Sequence, residues 1–380
     1  MLRLHDTLTR QVVPVAPDGS RILRMYTCAA HGPVGLADLR PALLADLVRR
    51  VAERAGLRVL ACRNVSDLGN GEGGDGGRGD GAGASLDADT LALNMRAPEH
   101  SPRTSETMGL VIELIGRLIE RGHAYATPEG AVFFDAASFP TYGEMSGKPG
   151  SASDWPLWEP LPEPVGQRTR RADGDARATW DAPWGRGLPA RDIECSATPL
   201  RFLGPRFDLY VGGTDLCFPH HERARAQSNA ATGQEAAAHW AHSGRLLFDG
   251  RPADTGDVIP LSAVAAAGLD PLAVRLALLE RHYRRPIDLT WDSLRAADEE
   301  LRRLRRRVAE WAESPSRPID RAHAERVQRA LDDDLDTPAV LRLLRDLETD
   351  ESVAPGSKFE TFLHFDHVLA LDLPADIGRI

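Results

Sequence analysis

Apolar and polar positions alternate along this chain in blocks that predict strands and helices in turn. "RILRMYTC" (21–28) is a short apolar-rich run and reads as a buried strand. "DLRPALLADLVRRVAERAG" (38–56) carries apolar residues at helical spacing and stops at a glycine. "LRVLACRNV" (57–65) reads as a second buried strand. Strand, helix and strand in so short a span make a βαβ unit, which predicts a parallel sheet of Rossmann type.

Further on, "SETMGLVIELIGRLIERGHAY" is a strongly periodic helix and "GAVFFDAASF" is strand-like. "RFDLYVGGTDLCF" reads as a strand running into a glycine turn. In "PHHERARAQSNAATG" a helix is expected, with Pro219 at its first position and Gly233 at its stop. "RLLFDG" is a short strand, and from about Asp270 the pattern is helical to the end. The polar stretch 69–85 cannot bury enough apolar surface to order itself and is expected to be a flexible loop. Residues 149–180, rich in Pro, Gly and Arg, read as an irregular insertion. The predicted fold class is therefore α/β. A Rossmann-type domain spans residues 1–265, with an inserted region over about 100–180, and an α-helical bundle follows at 266–380.

Composition narrows the function classes. The net charge of −10 disfavours avid, non-specific binding to nucleic acid. No apolar run has the length of a signal peptide or a membrane span, so a cytoplasmic protein without membrane partners is expected. The four cysteines, Cys28, Cys62, Cys195 and Cys217, are too sparse for a disulfide framework. Lysine occurs only at Lys148 and Lys358.

Three groups of residues carry candidate chemistry. Cys28 closes the first strand, Cys195 follows an extended segment in "DIECSA", and His220 starts a helix just past a strand end. On one parallel sheet all three would converge at its carboxyl edge, where open α/β sheets place ligands. Two thiolates and an imidazole suit zinc, although three buried residues with no shared role fit the same spacing. Gly212 and Gly213 in "VGGTD" would let backbone approach a ligand, and Asp215 could accept from a ribose hydroxyl; a plain strand-to-helix turn reads the same way. The Arg-rich "EELRRLRRRVAEW" has acidic neighbours and leucines at helical spacing, which suit a solvated bundle helix better than a nucleic-acid surface.

Taken in order, "RMYTC", "RNVSD", "FPTYGEMSG", "APWGRGLPARDIECSA", "VGGTDLCFPHHERARAQS", "HWAHSGRLLFDG", "DPLAVRLALLERHYRRPID" and "LDDDLDTPAVLRLL" resemble the cysteinyl-tRNA synthetase family of class I synthetases. The resemblance covers nearly the whole chain. It implies a Rossmann catalytic domain with a connective insertion, a helical stem, activation of cysteine with ATP, and a zinc ion that takes the substrate thiolate. It places Cys28, Cys195 and His220 on zinc-ligand positions and Ser66 on a hydroxyl position near the substrate. Gly212, Gly213, Thr214 and Asp215 fall on the adenosine-binding turn. In length the chain resembles the related mycothiol-biosynthesis ligases, which pass cysteine to a small amine and have no anticodon-binding domain.

Four positions depart from the family pattern. The fourth zinc ligand, a glutamate four residues after the first histidine, is Ala224 here. Glu222 points the opposite way around the helix, His221 is rotated off the ligand face and reads as a bystander or a support, and Cys217 is the better-placed substitute. The lysine-rich signature loop is "RPADTGDVIPLS", in which Arg251 is the only cation and Asp254 and Asp257 oppose it. The histidine-rich signature is "AAHGPVGLADLRP", where His31 is the sole candidate. A pocket tryptophan is replaced by Arg191, which either receives an anion or points into solvent.

The expected function is a divergent, ATP-dependent ligase that activates cysteine or a relative and passes it to a small amine. A catalytically inactive paralogue binding a thiol metabolite, a metal or a partner is the alternative. A true cysteine–tRNA ligase is the third reading, with tRNA not expected as a partner. A monomer is expected.

Overall fold

The structure is a computed structural model that describes residues 1–17, 19–28, 34–68, 80–148, 153–160, 179–253 and 258–379. His31, Asp254 and Asp257 lie outside the described residues.

The chain opens with an antiparallel hairpin, β1 (Arg3–Asp6) and β2 (Gln11–Pro14). The predicted βαβ unit follows as β3 (Ile22–Thr27), α1 (Leu36–Arg54) and β4 (Arg58–Arg63). β3 and β4 pair in parallel, Ile22 opposite Arg58 through Thr27 opposite Arg63. The apolar stripe of α1, including Leu39, Leu43, Leu47 and Val51, is buried in the main core with Leu23, Met25 and Val59. The expected loop at 69–85 is in part a helix, α2 (Asp80–Ala92). Its leucine-bearing end folds onto α1, and Leu86 and Leu93 join the same core. Glycine content concealed this, because burial of a few apolar residues outweighs weak local propensity.

The connective region begins with α3 (Met108–Glu120), a helix with one apolar face. It continues as a four-stranded antiparallel sheet of β5 (Ala124–Ala126), β6 (Val132–Phe134), β7 (Trp155–Pro160) and β8 (Gly187–Pro189). The stretch 149–180 is thus not irregular throughout. β7 buries Trp155, Leu157 and Trp158, whose apolar bulk holds a strand despite Pro156 and Pro160 within it.

α4 (Arg191–Phe202) leads back to the parallel sheet through β9 (Phe207–Gly213). After a cis Phe218–Pro219 bond and a wide turn at Cys217–His221 comes α5 (Glu222–Thr232). Pro219 therefore precedes the helix rather than starting it, while Gly233 ends it in the left-handed conformation, φ 76°. β10 (Ala237–Ser243) completes a sheet ordered β10-β9-β3-β4, every pair parallel.

The remaining elements are β11 (Leu246–Phe248), β12 (Arg251–Pro252), α6 (Leu261–Ala266), α7 (Pro271–Leu279), β13 (Ile287–Leu289), α8 (Trp291–Ala312), α9 (Arg321–Asp332), α10 (Thr337–Thr349) and α11 (Pro355–Leu369). α7 to α11 form the expected bundle, with β13 as the one short interruption in the described chain beyond Asp270. Their apolar faces join the same core as the parallel sheet. No helix of the described chain is long and apolar enough to cross a membrane.

Two buried arginines join the bundle to the sheet. Arg275 of α7 donates to Asp46 of α1 at 2.7 Å, to the Leu93 carbonyl at 2.8 Å and to the Leu369 carbonyl at 2.5 Å. Arg40 of α1 donates to the carbonyls of Gly244 at 2.8 Å and Arg245 at 2.9 Å, and also to that of Arg285. Removing one partner of a buried ion pair leaves the rest uncompensated, at a cost of about 3–5 kcal/mol. Arg275→Ala is expected to lose about that much stability in urea unfolding, with the bundle separating from the sheet before the sheet itself melts.

Candidate metal and substrate site

Parallel pairing sends the ends of β3, β9 and β10 to one edge. Cys28 directly follows β3, Gly212 and Gly213 close β9, and His242 and Ser243 close β10. Cys195 arrives from a different direction. It lies on α4, one turn past the short β8 of the antiparallel sheet, and not on a strand of the parallel sheet as expected. The convergence nevertheless occurs. Cys28 Sγ lies 2.9 Å from Cys195 Sγ and 3.1 Å from His220 Nε2.

The partners around these donors fix their orientation. His220 Nδ1 is 2.5 Å from Asp192 Oδ1, and Arg223 donates to the other carboxylate oxygen at 2.8 Å. Burial opposes ionisation of Asp192, but hydrogen bonds from His220 and Arg223 hold its pKa below the ordinary value. Burial likewise opposes a charged His220, yet Cys195 and Asp192 raise it to about 10. The Cys195 thiol is pushed up to about 12, first by its hydrogen bond with Cys28 and then by burial. Without a cation the cluster thus keeps protons on the very atoms that ligate metals. A second sulfur and an imidazole, each already within about 3 Å of Cys28 Sγ, make a donor set that fits zinc, which would replace those protons.

His221 belongs to this cluster as well. It is fully buried, and its ligand atom lies within 4.8 Å of those of Cys28 and His220. Its Nδ1 is 2.8 Å from His242 Nε2, and His242 Nδ1 is 2.8 Å from Thr7 Oγ1. Tyr210 and Trp240 wall the pair: Tyr210 meets His221 edge-on at 4.8 Å and stacks on Trp240 at 4.2 Å. The sequence reads His221 as a bystander or a support; the turn at Cys217–His221, which an ideal helix does not include, brings its ring beside Cys28 and His220. Cys217, the expected substitute, is half-buried, and its charged neighbours are Glu222 and Lys148. Glu222 is committed elsewhere, its Oε1 accepting from the Ser146 amide at 2.7 Å. Ala224 is buried and brings no donor.

The nucleotide-turn residues divide. A Cβ at Gly212 would stand 2.3 Å from His221 Cε1, so this glycine makes room for an internal ring rather than for a ligand. A Cβ at Gly213 would stand 2.2 Å from Asp215 Oδ1. Gly213 and Asp215 line a cavity with Cys28, Asp38, Arg63 and Arg245, so the metal-type cluster and the turn share one opening through Cys28. Thr214 is exposed. Ser66 is half-buried just beyond β4, Arg191 is exposed at the start of α4, and Arg251 is exposed on β12.

Sequence reasoning missed Asp192 and His242. Asp192 stands three residues before Cys195, a spacing that puts both on one helix face. His242 sits at the carboxyl end of an expected strand, in "HWAHSG", where the same edge argument applied to Cys28 would have found it.

Comparisons with known proteins agree with this fold. The model of the class I (C) tRNA synthetase catalytic domain matches residues 81–299. A cysteine–tRNA ligase of Methylococcus capsulatus is 33% identical over 367 residues, covering 91% of this chain and 79% of that protein. One from Leifsonia xyli is 34% identical over 387 residues, covering 91% and 78%. Among solved structures, the methionyl-tRNA synthetase of Mycobacterium tuberculosis bound by methionyl-adenylate superposes with a TM-score of 0.61 at 14% identity. It covers 92% of this chain and 90% of its own, a likeness of fold.

The close approach at Gly212 is directly testable. Gly212→Ala is expected to cost about 1–3 kcal/mol of stability, the usual penalty of overpacking, because the His221 ring must move. A thermal melt of the metal-free protein measures it, and the same substitution at the open Gly109 serves as the comparison.

Proposed function

Because this chain belongs to the cysteine–tRNA ligase family of class I synthetases, we propose that it is a divergent, ATP-dependent ligase for cysteine or a closely related thiol amino acid, delivering it to a small amine. The observation that carries this reading is the convergence of Cys28, Cys195 and His220 beside an open cavity at the sheet edge. A zinc ion held by these residues supplies a soft Lewis acid that favours a thiolate over a hydroxyl or a methyl group. The protein's own groups do the rest. Asp192 and Arg223 hold the His220 ring, and Tyr210 and Trp240 pack against the neighbouring His221. Arg63 and Arg245 bring positive charge to the cavity wall, suited to a carboxylate or a phosphate. Asp215 offers an acceptor for a ribose hydroxyl on the same wall.

The stem supports a small acceptor over tRNA. The arginines of α8 are largely neutralised from within: Arg303 pairs with Glu300 and Glu348, Arg305 with Asp270, and Arg307 with Glu310 and Glu348. With a net charge of −10, little basic surface is left for a phosphate backbone.

A second reading, a binding-only paralogue, is favoured by one observation. The segment 250–262 contains no lysine, whereas phosphoryl chemistry needs fixed positive charge on the leaving phosphates.

Amino-acid-dependent exchange of pyrophosphate into ATP separates the readings. The ligase reading expects exchange with cysteine, none with serine, and a loss of at least about 100-fold, or about 2.7 kcal/mol of transition-state stabilisation, in Cys28→Ala. No exchange with any amino acid, together with a thermal shift by cysteine alone, would establish the binding-only reading. Charging of cysteine tRNA would displace both.

A further inference from the structure

We propose that His221 is the fourth ligand of the metal centre, in the place left by Ala224, and that His242 and Thr7 hold its ring for that task. The inference rests on the metal-centre reading of the cluster and does not depend on adenylation.

Two imidazoles face Cys28, and each has its Nδ1 engaged from behind. For His220 the partner is the Asp192 carboxylate, which can only accept, so a proton stays on Nδ1 and Nε2, 3.1 Å from Cys28 Sγ, is the atom that would face a metal. For His221 the partner is His242, itself bonded to Thr7. A hydroxyl can accept as well as donate. The chain can therefore run outward: His221 Nδ1–H donates to His242 Nε2, and His242 Nδ1–H donates to Thr7 Oγ1. In that direction every contact is satisfied and the lone pair of His221 falls on Nε2. This is the arrangement that outer partners impose on metal-bound histidines, where they fix both tautomer and ring orientation.

Packing locks the ring in place. Gly212 leaves the space it occupies, and Tyr210 and Trp240 close its other sides. The resulting set, Cys28, Cys195, His220 and His221, has the two-sulfur, two-nitrogen composition of a closed zinc site. Loading would displace the protons that these ligand atoms hold without metal, and in the outward tautomer His221 Nε2 has none to lose.

The test uses the full chain, stripped by chelator and titrated with Co(II) alone, reading affinity by chelator competition and coordination by the visible and near-ultraviolet bands. The wild type is expected to show tetrahedral bands with sulfur charge transfer. His221→Asn keeps a donor toward His242 but loses the ligand, and Co(II) affinity should fall at least about tenfold with altered visible bands. Thr7→Val removes the outer acceptor and should weaken Co(II) several-fold with unchanged bands. The double variant His221→Asn/Ala224→Glu should regain affinity, which distinguishes a lost ligand from a damaged fold. Unchanged affinity and spectrum in His221→Asn overturn the inference alone. Failure of the wild type to bind Co(II) overturns the metal-centre reading with it.

Discussion

The structure depends on one constraint, the parallel seating of β9 between β3 and β10. Gly213 stands opposite Ser243 and Val211 opposite Thr27, so β9 and β10 end together and β3 stops two residues short of them. Parallel strands leave their carboxyl ends on a single edge, and the loops that follow must cross there. Much of the candidate chemistry follows from that edge: Cys28 after β3, the glycines that close β9, and His242 at the close of β10; Cys195 and Asp192 come to it from α4. The buried guanidinium groups of Arg40 and Arg275 then tie the edge and its covering helix α1 to the bundle. The sheet and the stem consequently share one core.

Chemistry at the edge is built in two shells of contact. The inner atoms are two sulfurs and two imidazoles, and the outer ones are a carboxylate, a third imidazole and a hydroxyl. The outer groups matter because histidine has two nitrogens and only one can present a lone pair toward the centre. Asp192 and Arg223 decide this for His220 by charge. His242 and Thr7 do so for His221 by neutral hydrogen bonding, behind an aromatic wall that keeps water out. Members of this family sharing about a third of their residues with the chain are cysteine–tRNA ligases. Against the pattern that the resemblance implies, Arg191, Ala224 and the lysine-free 250–262 segment are the departures.

Much of the fold was legible because burial imposes period. The stripe of α1 and the runs of β3 and β9 each read as what they are. The misreadings have physical causes. α2 was concealed by glycine, since its helix is stabilised by Leu86 and Leu93 packing on α1 rather than by propensity. β7 was concealed by its prolines, since Trp155 and Trp158 hold it through the antiparallel sheet. The wide turn at Cys217–His221 has no periodic signature, and it is this turn that swings His221 into the cluster.

By itself the sequence determined the alternation of strands and helices, the family, and three residues, Cys28, Cys195 and His220, that meet in space. It also determined that position 224 is an alanine and that 250–262 holds no lysine, because which residue stands at a position is a property of sequence alone. The tertiary structure decided which neighbours surround them. That Cys195 reaches the cluster from a helix, that Gly212 yields to an imidazole, and that Asp192 and His242 stand behind the ligands are contacts between residues not adjacent in the chain, 167 apart for Cys28 and Cys195. No local pattern encodes them, because they arise only when the sheet closes and brings its edge together.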